Sequence, residues 1–156
     1  MTRTVLAALG GLLVAPALSA QTAPAAYLSA ADVVAQLQQA AQTSPEMMVA
    51  RMTTTDAYRV NVVKRTAPQG AIAHDVGTEV HYIIEGVATL VTGGAVVRPA
   101  GGTPAAQATI RGGETRTVHK GDIVLVPVTT PQWYSRIEQP LTYLEVRFNV
   151  KGKAPA

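Results

Sequence analysis

Within residues 74 to 86, "HDVGTEVHYIIEG", His74, Glu79 and His81 fall close together, and imidazole and carboxylate are donors that hold divalent metal ions. The apolar run that follows, closed by Gly86, reads as a β-strand, in which residues two apart share a face. If Glu79 points into a core, His81 and Ile83 follow it, and a glutamate beside a histidine in a semi-buried site can also move protons without a metal. The opposite facing makes Val80, Tyr82 and Ile84 the core side, and a one-residue slip separates the two accounts. Pattern alone leaves both open.

Other reactive side chains carry less. His119 stands in "TVHKGD" just before a turn and reads as a surface histidine. Of Trp133 and Tyr134, one is expected at a cavity mouth and the other in packing. On the last strand Tyr143, Glu145 and Arg147 alternate with Leu144, Val146 and Phe148, so one set is core and the other faces solvent or lines a pocket. Charge favours solvent for the first set; lining a pocket, Arg147 would clamp a carboxylate. No serine–histidine–acid arrangement, phosphate-cradling loop or dinucleotide fingerprint is present, because "TGG", "AGG" and "RGG" lack the strand-to-helix context those sites need.

The elements that must position these residues begin after an export signal. Residues 1–20 carry Arg3, an apolar run from Val5 to Val14, Pro16 and small residues to Ala20, the pattern of a secretory signal peptide cleaved near Ala20. The protein is expected outside the cytoplasm, periplasmic or secreted, without a stable membrane anchor. It has no cysteine, which excludes thiol catalysis, thiolate metal sites and disulfides, so burial alone must stabilise it. Thirteen basic side chains, less Arg3, against ten acidic ones make no nucleic-acid footprint.

Residues 21–55 read as an N-terminal tail and helical segment. Ser29 is the expected N-cap and Asp32 its capping-box partner, with Val33, Val34, Leu37 and Ala41 on one stripe. "SPEMM" then starts a short turn or a second helix at Ser44. From residue 56 to 150, short β-branched runs recur: 58–65, 79–86, 88–94, 114–122, 123–128 and 141–150. Residues 93–113, rich in glycine and proline, read as a long flexible loop and a further possible interaction surface; 151–156 form a C-terminal tail. A helix followed by antiparallel strands predicts an all-β domain, a small jelly roll.

The strand motifs add a family. "HDVGTEVHYIIEGVATLVTGG" followed by "KGDIVLVPVTTPQWYSRI" resembles the two blocks of the cupin superfamily in its small single-domain form, over residues 58 to 150. The resemblance implies an antiparallel jelly-roll β-barrel holding a divalent metal on a His-x-His pair, a glutamate and a later histidine. Glu79 stands at the glutamate and His74 at the second histidine, while Ile72 replaces the first. Gly121 and Pro127 match; Thr129 stands for a glycine, and Gln132 for the last histidine. A repaired set of His74, Glu79, His81 and Gln132 would suit iron, manganese or zinc, with Trp133, Tyr134, Tyr143 and Arg147 around a pocket for a small polar molecule.

Loss of two ligands supports the alternative, a metal-free cupin acting as a ligand-binding or assembly module. Cupins span oxygenases, isomerases, lyases and binding proteins, and the fold does not choose among them. An inward Glu79 leaves Val80, Tyr82 and Ile84 on an outer face that the helix or a second subunit must cover, so a homodimer is expected.

Overall fold

The computed structural model describes residues 24–100 and 108–149. Residues 1–20, expected to be an export signal, and the expected C-terminal tail lie outside the described residues. Among the described residues no helix is long and apolar enough to cross a membrane.

Helix α1 spans Ala30–Ala41, and Ser29 caps it by accepting from the Asp32 amide at 3.1 Å. Val33, Leu37 and Ala41 are half-buried, whereas Val34 is exposed. The helix lies on strand β1 (Met47–Thr54), to which it is tied by Gln36: its Oε1 accepts from the Arg51 amide at 2.9 Å. Pro45 and Glu46 form a turn, but no second helix follows. The methionines begin β1 instead, with Met48 and Ala50 buried on alternate positions.

β1 pairs with β2 (Tyr58–Arg65), and the sheet continues to β8 (Gln132–Phe148), β3 (Thr78–Thr92) and β6 (Glu114–His119), all antiparallel. β7 (Ile123–Val126) extends the same edge of β3 that β6 uses. β4 (Ala95–Val97) and β5 (Thr109–Arg111) form a separate ladder. The stretch expected to be one flexible loop therefore contains a paired hairpin base, with residues 101–107 outside the described residues.

The strands expected at 79–86 and 88–94 are one continuous strand that bends. Gly86 has φ of +92°, and a Cβ there would sit 2.1 Å from the Pro140 carbonyl oxygen, so only glycine fits this crossing of β3 over β8. Register shifts between Ile83 and Ala88 move the buried positions from Glu79, His81 and Ile83 to Ala88 and Leu90. The strand expected from residue 141 begins at Gln132, because the polar run through Pro140 continues the ladder with the far half of β3.

Ile83, Leu90, Leu141 and Tyr143 are among the largest fully buried side chains and pack with Val63, Ala88, Val118 and Tyr134. Burial of each large apolar side chain contributes about 1.5–3 kcal/mol. This core lies beside the polar cluster that β3 and β8 carry at their other ends.

Candidate functional site

Curvature brings the site together. Gln132 pairs through its backbone with Thr92, yet its side chain donates to Glu79 at the other end of β3. Tyr134 pairs with Leu90, and its hydroxyl meets His81 Nδ1 at 2.9 Å. The sheet thus curls until the start of β8 faces the start of β3. Ile72 and Gln132, the two positions where the resemblance expects histidines, hydrogen-bond backbone to backbone at 2.8 and 3.0 Å.

Of the two facings open for β3, the inward glutamate is the one present: Glu79 and His81 are each 2 % exposed. Alternation carries the same face across the sheet, to Tyr143, Glu145 and Arg147 on β8 and to Arg59, Asn61, Val63 and Arg65 on β2. The charged set of the last strand, expected in solvent, is therefore half-buried in the concave interior. Charges can occupy it because they are paired. Arg147 Nε donates to Glu79 Oε1 at 2.6 Å, and its Nη2 contacts both that oxygen and His74 Nε2. Glu145 Oε1 accepts from Asn61 at 3.0 Å and from Arg59 at 3.3 Å.

These contacts set the protonation states. Burial alone would raise the Glu79 pKa. The neighbouring His81, the donors Gln132 and Arg147, and the Arg147 charge outweigh it and bring the carboxyl down to about 2. His74 is held below its ordinary value, first by burial and then by Arg147, against the opposing pull of Glu79. It is a neutral imidazole whose Nε2 accepts from the guanidinium. Burial pushes the Tyr134 and Tyr143 hydroxyls up, so both tyrosines stay neutral.

A cavity of about 230 Å³ opens between these elements, lined by Ile72, His74, Glu79, His81, Gln132, Trp133, Tyr134 and Tyr143 among others. All four expected metal donors and the three aromatic residues expected at a pocket thus border one space. Arg147 lines an adjoining hollow of about 220 Å³ instead, its guanidinium spent on Glu79 and His74. Trp133 Nε1 donates to the Gln69 carbonyl at 2.8 Å. His119 is exposed on the far turn, 3.9 Å from Asp122.

Could these residues hold a metal? His74 Nε2 and Glu79 Oε1 are 3.4 Å apart, but the Arg147 guanidinium contacts both, and Gln132 turns its NH2 toward Glu79. A second set converges too: one ligand atom each from Glu79, His81 and Glu145 lie within 4.8 Å of one another, with Arg147 and Arg59 already paired to the two carboxylates. His81 Nε2 is buried without a hydrogen-bond partner, 3.5 Å from Glu79 Oε2. That orphaned nitrogen fits a cation, and one imidazole with two carboxylates is a donor set for iron, manganese or zinc. Arg65, which also borders the cavity, was missed in the sequence, and Glu145 was read only as one of a set facing solvent or lining a pocket; the alternation of β2 and β8 was the signal that could have found both.

No family model matches the chain, and no curated protein does. Solved structures do. KdgF from Halomonas sp. superposes with a TM-score of 0.51 at 14 % identity, over 70 % of this chain and 85 % of that one. Fe(II) HppE gives 0.50 at 13 % identity, over 65 % of this chain. The DMSP lyase DddQ from Ruegeria pomeroyi DSS-3 gives 0.50 at 18 % identity, over 74 %. This chain spans about half the length of the last two, 50 % and 53 % respectively. At such identities the likeness is one of fold.

Proposed function

From the premise that this chain has a cupin fold, we propose that it binds a small polar molecule in the cavity between β3, β8 and β2, and that it does so outside the cytoplasm after cleavage near Ala20. The observation that carries this is His81, which lines that cavity and whose buried Nε2 has no hydrogen-bond partner. Such a group costs about 1–3 kcal/mol when unsatisfied, and a bound molecule is one means of satisfying it. The cavity, about 230 Å³, is smaller than the roughly 300–1,000 Å³ of pockets for drug-sized ligands, so the ligand is small.

The chain's own residues then act as follows. Tyr134 holds the His81 ring through Nδ1 and fixes where Nε2 points. With Nδ1 protonated, Nε2 accepts a proton or hydrogen bond from the ligand; in the other tautomer it donates one. Glu79, kept ionised by Arg147 and Gln132, lies 3.5 Å from His81 Nε2. Proton transfer at Nε2 is the chemistry these groups offer.

A second reading is favoured by the convergence of Glu79, His81 and Glu145: the ligand binds through a divalent metal. HppE is an Fe(II) protein in one solved structure and carries Co(II) with substrate in another. Bound here, such an ion would supply Lewis-acid polarisation of a ligand oxygen. Glu79, His81 and Glu145 would hold it, with Tyr134 orienting His81.

Two experiments test these readings. In a fragment screen followed by NMR, shifts clustering on Ile72, Tyr134 and Tyr143 support the cavity; shifts scattered over the surface, or none, overturn it. Cobalt(II) titration followed by visible absorption tests the metal. Saturable binding by the wild type, lost in His81→Ala and Glu145→Gln, supports the triad, and a wild type that binds no metal retires it. Exposed apolar residues on the outer face, Tyr82, Ile84, Ile123 and Leu125, support association of two copies across it.

A further inference from the structure

Resting on the reading of the cavity as a small-molecule site, we infer that its ligand is an organic anion whose carboxylate is received by Arg65. Three arginines reach the concave face from β2 and β8, and two of them are spoken for. Arg147 is paired with Glu79 and Arg59 with Glu145. Arg65 has no carboxylate partner among the described residues. Its Nε donates to the Tyr143 hydroxyl at 3.0 Å, and that is the hydrogen bond the protein gives it.

The two tyrosines hold this guanidinium in place without neutralising it. Its central carbon lies 5.3 Å from the Tyr134 ring centroid and 5.9 Å from that of Tyr143, a cation–π arrangement on two buried rings. The other guanidinium nitrogens have no protein partner among the described residues. A planar fork fixed in this way suits bidentate capture of a carboxylate, and its ordering cost is already met by the fold.

The remaining walls refine the ligand. Both carboxylates at the cavity, Glu79 and Glu145, are already matched by arginines, so the unmatched charge is positive. Met47 and Ile72 add apolar surface. His81 shares the same tyrosine pair, with its ring 4.6 Å from Tyr143 and 5.9 Å from Tyr134, and offers Nε2 to a second polar group. A small carboxylic acid bearing an additional hydroxyl, carbonyl or carboxyl group satisfies both ends.

Trp133, the chain's one tryptophan, lines the cavity and supplies a local fluorescence signal. The test titrates the purified protein with propionate, lactate, succinate and benzoate, and in parallel with the uncharged amide of each, with calorimetry beside the fluorescence. At least one acid is expected to bind about ten- to a hundredfold more tightly than its amide. Arg65→Gln should lose that difference, and Arg65→Lys, which keeps charge without the fork, should fall between. Amides that bind as well as acids, with Arg65→Gln unchanged, overturn the anion assignment and leave the cavity reading standing. If neither acids nor amides bind the wild type, the anion assignment falls, and the fragment screen above decides whether the cavity reading falls with it. Should Arg65→Gln melt early, the acid–amide comparison on the wild type still decides.

Discussion

The two faces of the β7–β3–β8–β2 segment are inverted relative to an ordinary half-buried sheet. Its concave face carries Glu79, His81, Glu145, Arg147, Asn61 and Arg59, all buried or half-buried, with Val63, Ile83 and Tyr143 beside them; its convex face carries Val80, Tyr82, Leu125 and Ile123. Tyr82 is 44 % and Ile123 71 % exposed, while Glu79 is 2 % exposed. On the inside, the apolar contribution of this half is limited to Val63, Ile83 and Tyr143, which pack beside the charged residues. Paired charge lines the rest of the inside, and the outside is left with apolar surface. The neighbouring half, around Leu90 and Leu141, follows the usual rule.

The sharpest way to break this contrast is to remove one member of an inner pair. Arg147→Met leaves Glu79 buried without its cation and should cost about 3–5 kcal/mol in urea denaturation. The double variant Glu79→Gln with Arg147→Met should recover part of that loss. A single variant within experimental error of the wild type would show that pairing does not hold the inner face.

Acid probes the same pair. The Glu79 carboxyl is held at about 2 in the fold against an ordinary 4.5, so its stabilisation is complete above about pH 4.5 and is lost as pH falls toward 2. Its size is on the order of 3 kcal/mol. Chemical denaturation across that window should show the loss in the wild type and a shallower one in Glu79→Gln; parallel curves would remove Glu79 from the account.

On the outer face the same kind of change should do little to a single chain. Leu125→Lys is expected to alter monomer stability by about 0.5 kcal/mol or less, yet to dissociate a dimer formed across that face. Sedimentation over a range of concentrations separates the two effects, and a wild type that remains monomeric throughout removes the homodimer. The smallest effect concerns Thr129, which stands for a glycine and has φ of +65° while its amide donates to the His74 carbonyl at 2.8 Å. A β-branched residue there is strained, so Thr129→Gly should gain about 0.5 kcal/mol after the added freedom of the unfolded chain is set against it.

Much of the architecture was legible where local chemistry decides. Ser29 and Asp32 mark the start of α1, the bounds of β2 coincide with those expected, and the motifs around Gly86 and Gly121 pointed to the fold. β1 was obscured because methionines follow a proline that suits a helix start. β3 looked like two strands because the bulge at Gly86 shifts its alternation, and the first half of β8 is too polar to advertise itself.

The site was legible through Glu79, His81 and the aromatic residues. Glu145 and Arg65 were not, because charge alone argued for solvent, and the partners that allow burial lie far along the chain. Glu145 meets Asn61 across 84 positions, and Arg65 meets Tyr143 across 78. No local window contains both members of such a pair.

The long ladder between β3 and β8 has a kinetic consequence. It joins residues about 40 apart at the Thr92–Gln132 end and about 70 apart at the Thr78–Phe148 end. Loop closure is less costly at the first end, so zippering should begin near Thr92 and run toward Phe148. Glu79, His81, Glu145 and Arg147 occupy the end that closes last. Any ligand of this cavity would therefore recognise the completed fold and not its precursors, and in refolding experiments recovery of binding would trail the recovery of β-structure.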